Sequence, residues 1–133
     1  MTKVLFLCTG NSCRSQMAEG FGKHRAGLEV HSAGTKPAQA VDPHAILVMH
    51  EIGIDISDQK PKAVTEFLAQ EFDYVITVCD GAQETCPVFT GKVKHRLHLG
   101  FADPQGKPVA FFRQIRDEIK EKTEKIFEDL NEI

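Results

Sequence analysis

No stretch of this 133-residue sequence approaches the roughly 18 apolar residues that a membrane-spanning helix requires. The amino-terminal run MTKVLFLC lacks the long apolar stretch and small-residue cleavage site of a secretory signal. Basic residues are not in excess: 16 Lys and Arg against 19 Asp and Glu leave a net charge of −3, the wrong sign for a nucleic-acid binder. There is no internal repeat, low-complexity tract or interdomain linker. These absences leave one soluble domain spanning residues 1–133, with neither a membrane nor a nucleic acid as a partner. A cytoplasmic monomer is the expectation. Thiols are kept reduced there, so the four cysteines (Cys8, Cys13, Cys79, Cys86) point to catalysis, redox work or metal binding rather than a static disulfide frame.

Apolar runs alternate regularly with helix-period segments. KVLFL (3–7) reads as a buried strand. SQMAEGFGKHRAG (15–27) reads as a helix with Met17, Phe21 and His24 on one face and Gly27 as its stop. LEVHSAG (28–34) alternates as a short strand. In DPHAILVMHEIG (42–53), Asp42 is the N-cap, Pro43 the first helical residue and Gly53 the C-cap. TEFLAQEF (65–72) reads as a short helix, DYVITV (73–78) as a strand and VKHRLHLGF (93–101) as a fourth strand. The last segment sets Phe112, Ile115, Ile119, Ile126 and Leu130 on one face of a long helix. Strands alternating with helices predict a three-layer α/β domain with a parallel sheet. Loops 35–41 and 102–108 are the expected mobile segments.

Between the first strand and the first helix lies Cys8-Thr9-Gly10-Asn11-Ser12-Cys13-Arg14, a C-x5-R loop. A loop in this position can curl its backbone N–H groups inward, and the helix dipole adds positive potential. Gly10 is expected to take the unusual dihedrals of such a cradle. Arg14 offers a planar fork to a tetrahedral oxyanion. The same field is expected to lower the pKa of Cys8 and make it a thiolate nucleophile, with Ser15 donating a hydrogen bond. Residues 9–15 (Thr9, Gly10, Asn11, Ser12, Cys13, Arg14, Ser15) are thus the candidate substrate-binding set. The plainer alternative is a strand-end cysteine followed by a surface turn and a solvated arginine.

VLFLCTGNSCRSQMAEG resembles the signature of the low-molecular-weight protein tyrosine phosphatase superfamily, and CTGNSCRSQMAEG is especially similar to its thioredoxin-coupled arsenate reductases. The similarity continues through SAG (32–34), GIDIS (53–57), ITVC (76–79), CPVF (86–89), GFADP (100–104) and FRQIRDEI (112–119), covering nearly the whole chain. It implies a four-stranded parallel sheet flanked by helices. It also gives Asp103 the role of general acid, although an Asp-Pro pair alone is usually a turn.

Both branches of the superfamily use the loop, so Cys79 and Cys86 carry the distinction. A phosphatase needs one catalytic thiolate. A reductase supplies two electrons and finishes with a disulfide. The resemblance implies that Cys8 attacks arsenate, that a Cys8–Cys79 disulfide forms as arsenite leaves, and that Cys86 then takes over Cys79 for reduction by thioredoxin. No cofactor is expected. On an intact helix Cys79 and Cys86 would be about 10.5 Å apart, beyond the roughly 4.4–6.8 Å Cα span of a disulfide. Residues 79–86 are therefore expected to loop out on oxidation, helped by Gly81. Other readings stay open: apolar filler thiols, a zinc site of Cys79, Cys86, His95 and His98 with irregular spacing, or a peroxide sensor. The alternative enzyme is a phosphatase acting on phosphotyrosine or aryl phosphates. The polar run after Asp-Pro, DPQGKPVAFF, lacks the aromatic wall expected for phosphotyrosine. Cys13 is either a packed thiol or a partner that protects Cys8.

The resemblance also implies a potassium site beside the loop, with Asn11, Glu19 and Ser32 at ligand positions. After DIS, however, the chain reads DQKPKAV, with Lys60 and Lys62 where oxygen ligands would stand. No metal is expected. Lys62 either replaces the ion electrostatically or is merely solvated.

Overall fold

The computed structural model describes residues 1–79 and 88–131. Its elements are β1 (Thr2–Cys8), α1 (Arg14–Lys23), β2 (Leu28–Gly34), α2 (Pro43–His50), β3 (Phe72–Thr77), β4 (Val93–His98) and α3 (Val109–Asn131). The strands form one sheet in the order β2-β1-β3-β4, and every pairing is parallel. The parallel α/β architecture expected from the alternation is what is found. No helix among the described residues is long and apolar enough to cross a membrane.

β1 is central, and Val4, Leu5, Phe6 and Leu7 are completely buried. A parallel strand covered on both faces needs such a continuous apolar run. Phe6 meets Phe127 of α3 edge-on, with centroids 6.2 Å apart. α3 packs on both α1 and α2. Arg116 ties it to α2 by donating to Val48 O and Glu51, 2.9 and 3.0 Å away. The outer strand β4 leaves residues 94–97 exposed, and the charges of Lys94 and Arg96 blunt its open edge.

Several boundaries differ from the sequence expectation. α1 stops at Lys23, short of the expected Gly27, with exposed His24 as its C-cap, and Gly27 turns the chain at φ 84°. The helix expected over 65–72 is only a 3-10 turn, Val64–Glu66. A helical bond from Phe72 N–H to Leu68 O is pre-empted: Leu68 O accepts from Thr90 and Gly91, while Phe72 N–H donates to Lys92 O at the start of β3. In α3, Phe112, Ile115, Ile119 and Phe127 are buried and Ile126 is half-buried. The Leu130 side chain, Gly81 and Cys86 lie outside the described residues, as does the expected rearrangement around 80–87.

Phe127→Ala should cost about 3–5 kcal/mol, because it opens a cavity against fully buried Phe6. Urea denaturation should show a lower midpoint with an unchanged slope. A loss under about 1 kcal/mol would place Phe127 outside the core.

Candidate active site

In a parallel sheet the carboxyl ends of all strands lie along one edge, and ligands bind there. β1 delivers Cys8 to that edge and β2 delivers Gly34. Cys79 follows two residues after β3, and the turn carrying Asp103 follows β4.

The loop after β1 is held from outside by its carbonyls. Cys8 O accepts from Thr35 N, Thr9 O from Lys36 N, Gly10 O from Ala38 N and Ser12 O from Asp42 N, all at 2.8–3.2 Å. Asn11 O accepts from Gln16 Nε2 at 3.0 Å, and Cys13 O from Met17 N at 3.0 Å. Every carbonyl from residue 8 to 13 is thus directed away from the concave side. A trans peptide points its N–H opposite its C=O, so the amides face inward. The segment expected to be mobile, 35–41, is the outer rim of the site. Cys13 at the N-cap of α1 makes no side-chain capping bond, which leaves the first helical amides to an anion.

The residue with left-handed geometry is Asn11, at φ 51°, and not Gly10. Asn tolerates this region because its short amide finds local partners. Asn11 Nδ2 donates to Ser15 Oγ (2.8 Å) and Ser32 Oγ (2.9 Å). Asn11 Oδ1 accepts from Lys62 N (2.8 Å) and Gln16 Nε2 (3.1 Å). Held in this way, Asn11 N–H donates to Cys8 Sγ at 3.2 Å.

Arg14 reaches across the cleft. Its Nη1 donates to Phe101 O at 2.9 Å, and its Nη2 lies 3.7 Å from Asp103 Oδ2. Its Nε is buried without a hydrogen-bond partner among the described residues, a cost that an oxyanion in the cleft would relieve. Asp103 is exposed at the rim, and its Oδ1 accepts from Gln105 N at 3.0 Å. Cys8, Thr9, Arg14 and Asp103 line a cleft of about 190 Å³. That is smaller than the roughly 300–1,000 Å³ of sites for drug-sized organic ligands.

Cys79 is also here. β1 and β3 are neighbours, with Leu7 opposite Thr77 and Val78 N donating to Leu7 O. The chain therefore brings Cys79, 4 % exposed, against Cys8, 3 % exposed. Cys79 is the largest influence on the Cys8 thiol, and Thr9 Oγ1 lies 3.4 Å from Cys79 Sγ. This influence overturns the expected lowering of the Cys8 pKa. The Cys79 hydrogen bond, and then burial, push the Cys8 thiol well above the ordinary cysteine range, while Ser15 and the Asn11 amide pull the other way. The loop's own donors are outweighed by a sulfur just past another strand.

Cys13 is 3 % exposed, with Asp42 Oδ2 3.8 Å from its sulfur. Burial pushes its thiol up to about 12. Cys8 and Cys13 are free thiols. Among the described members of the zinc alternative, His95 stacks on Tyr74 at 4.8 Å and His98 Nδ1 bonds Thr77 Oγ1 at 2.7 Å. No cluster of three or more His, Cys, Asp or Glu among the described residues is placed to hold a metal.

Residues 3–133 match the low molecular weight phosphotyrosine protein phosphatase family. The chain belongs to that family. It is 47% identical to arsenate reductase 2 of Staphylococcus epidermidis over 119 residues, 88% of this chain and 89% of that protein. A solved arsenate reductase in its phosphate-binding state superposes with a TM-score of 0.86 at 37% identity, covering 97% of this chain and 98% of that one. A thioredoxin-dependent arsenate reductase of Corynebacterium glutamicum gives 0.73 at 31% identity, covering 98% of this chain and 62% of that one. This family member therefore carries the loop together with a second buried thiol at the same edge of the sheet.

Sequence reading missed Gly34 as a site residue. A Cβ there would stand 2.5 Å from Thr9 O and 3.1 Å from Asn11 N, so only glycine lets β2 approach the loop. A small residue closing a strand beside a loop was the available signal. Gly34→Ala should leave the fold intact and weaken phosphate binding by about a hundredfold, the scale of an ångström-sized misplacement. Titration calorimetry showing unchanged affinity would mean the loop tolerates the shift. Cys79→Ala removes the largest upward influence on Cys8. The pH at which iodoacetamide alkylates Cys8 should fall, and an unmoved or higher profile would mean that Cys79 does not govern Cys8 acidity.

Proposed function

We propose that the protein is an arsenate reductase, and the single observation that carries this is the buried Cys79 thiol at the oxyanion loop, 3.4 Å from Thr9 Oγ1. Hydrolysis of a phosphate ester has no use for a second buried thiol. Reduction requires one. The names of the relatives and structural neighbours support the same reading.

In the proposed reaction the loop amides and Arg14 bind arsenate, with Thr9, Gly10, Asn11, Ser12, Cys13 and Ser15 forming or bracing the cradle. Cys8 Sγ bonds to arsenic as one As–O bond breaks. The thiol proton passes by way of Asp103 to the departing oxygen, which leaves as water. Cys79 Sγ then attacks Cys8 Sγ. The S–As bond breaks, its electron pair stays on arsenic, and arsenate becomes arsenite as the disulfide forms. Both thiols are buried at the same edge of the sheet, which supports a direct transfer between them. Cys86, outside the described residues, next attacks Cys79, releasing the Cys8 thiolate and leaving a Cys79–Cys86 disulfide. Thioredoxin is the proposed reductant, supported by the thioredoxin-dependent neighbour. The setting proposed is a reducing cytoplasm, with the chain acting as a monomer without a cofactor. Weak hydrolysis of aryl phosphates is expected as a side activity of the same loop.

Reduced protein mixed with arsenate should release one arsenite per chain and yield a Cys79–Cys86 disulfide on mass mapping. Cys86→Ser should stop at Cys8–Cys79, and turnover should require thioredoxin. No oxidation by arsenate, with steady aryl phosphate hydrolysis in both Cys79→Ser and Cys86→Ser, would make the protein a phosphatase.

A further inference from the structure

Beneath the loop, α1 buries the carboxylate of Glu19, which is 3 % exposed. Glu19 Oε2 meets Lys23 Nζ at 2.7 Å. Glu19 Oε1 accepts from Ser32 Oγ and lies 3.5 Å from Lys62 Nζ. The same ammonium donates to Lys60 O at 3.2 Å. The Lys60 side chain itself is exposed, so only its carbonyl takes part. At the other end of the residue, Lys62 N–H donates to Asn11 Oδ1 at 2.8 Å and Lys62 O accepts from Gly34 N at 2.8 Å. Lys62 therefore reaches Asn11 twice: directly from its backbone, and through Glu19 and Ser32 from its side chain.

This arrangement does not fit a potassium ion. A hard cation needs free oxygen lone pairs. Ser32 Oγ is committed, donating to Glu19 and accepting from Asn11 Nδ2. The Asn11 amide turns its NH2 toward Ser15 and Ser32 and its oxygen toward two N–H donors. The flipped amide would set those two donors against an NH2 group, so the orientation follows from the network. Of the remaining oxygens, Glu19 Oε2 meets Lys23 Nζ, and Glu19 Oε1 and Lys60 O already hold the Lys62 ammonium.

We propose that the Lys62 ammonium is a built-in replacement for a monovalent cation, a positioning charge that acts through Glu19, Ser32 and Asn11 to hold the oxyanion loop in its binding geometry. The direction of the hydrogen bonds supports this. A carboxylate at Glu19 fixes Ser32 as donor, Ser32 then accepts from Asn11, and Asn11 is locked at positive φ with its N–H on Cys8 Sγ. Removing one cation from a buried carboxylate leaves charge poorly compensated, and the strained residue is where that relaxes. The inference rests on the loop being the oxyanion site. It predicts that oxyanion binding is independent of potassium.

Inorganic phosphate serves as a non-reacting probe, by calorimetry in KCl and in NaCl at equal ionic strength, with the melting temperature followed in parallel. Wild type should give the same dissociation constant and melting temperature in both salts. Lys62→Ser, which vacates the ammonium and leaves a hydroxyl, should bind about tenfold more weakly in NaCl, the scale of one charge-assisted hydrogen bond, and recover in KCl. Lys62→Arg should stay indifferent to the salt. Tighter wild-type binding in KCl than in NaCl overturns the proposal. So does a Lys62→Ser variant that binds normally in NaCl, or one whose loss KCl does not relieve. If Lys62→Ser does not fold, indifference of wild type and Lys62→Arg supports the proposal, and a potassium response in either defeats it. Phosphate affinity is read without redox turnover, so failure of the arsenate oxidation assay leaves this test standing. Absence of phosphate binding in wild type would instead defeat the oxyanion reading itself.

Discussion

Six consecutive carbonyls turned outward and bonded are the constraint on which the catalytic edge depends. Residues 35–42, Gln16 and Met17 take up the acceptors of the loop, and the inward amides become available as a consequence. An anion site made this way needs little basic side-chain charge, so a net charge of −3 is compatible with one. The loop is then only as well placed as the segments that hold it. Gly34 permits the approach of β2, and Asn11 carries the strained turn.

Asn11 joins the two halves of the site. Its backbone addresses Cys8, while its side chain addresses a buried polar layer of Ser15, Gln16, Glu19, Ser32 and Gln59 beneath the loop. Gln59 Nε2 donates to both Gln16 O and Gln16 Oε1, at 3.0 and 2.8 Å. A layer with this many mutual bonds is costly to satisfy partly and rigid when satisfied. Rigidity here means that the amide facing Cys8 keeps its aim.

Much of this was readable in the sequence where chemistry follows order along the chain. The strand–loop–helix context of Cys8 and Arg14, the Asp42-Pro43 helix start and the alternating elements all depend on local spacing. Asp103 and Cys79 lie on the expected edge because the strands are parallel. The misses depend on contacts between distant segments. Residues 65–72 lose their helix because Leu68 O is taken by Thr90 and Gly91. Gly10 looked like the strained residue because glycine is the usual solution, yet polar partners from β2 and from Lys62 let Asn11 fill that place. The Cys8 pKa was misjudged because a second thiol arrives from β3, and loop 35–41 looked free because its partners are the carbonyls of another turn.

The side-by-side placement of Cys8 and Cys79 bears on how such chemistry can arise. Neighbouring strands in a sheet run about 4.8 Å apart, within the roughly 4.4–6.8 Å Cα span that a disulfide bridges. A parallel sheet thus presents, at its carboxyl edge, pairs of positions already spaced for a sulfur–sulfur bond. Here Leu7 pairs with Thr77, so Val78 falls beside Cys8 and Cys79 one position beyond, just past the end of β3. In this fold a second thiol at the site is a matter of side chain rather than backbone, because the parallel strands already bring both segments to one edge.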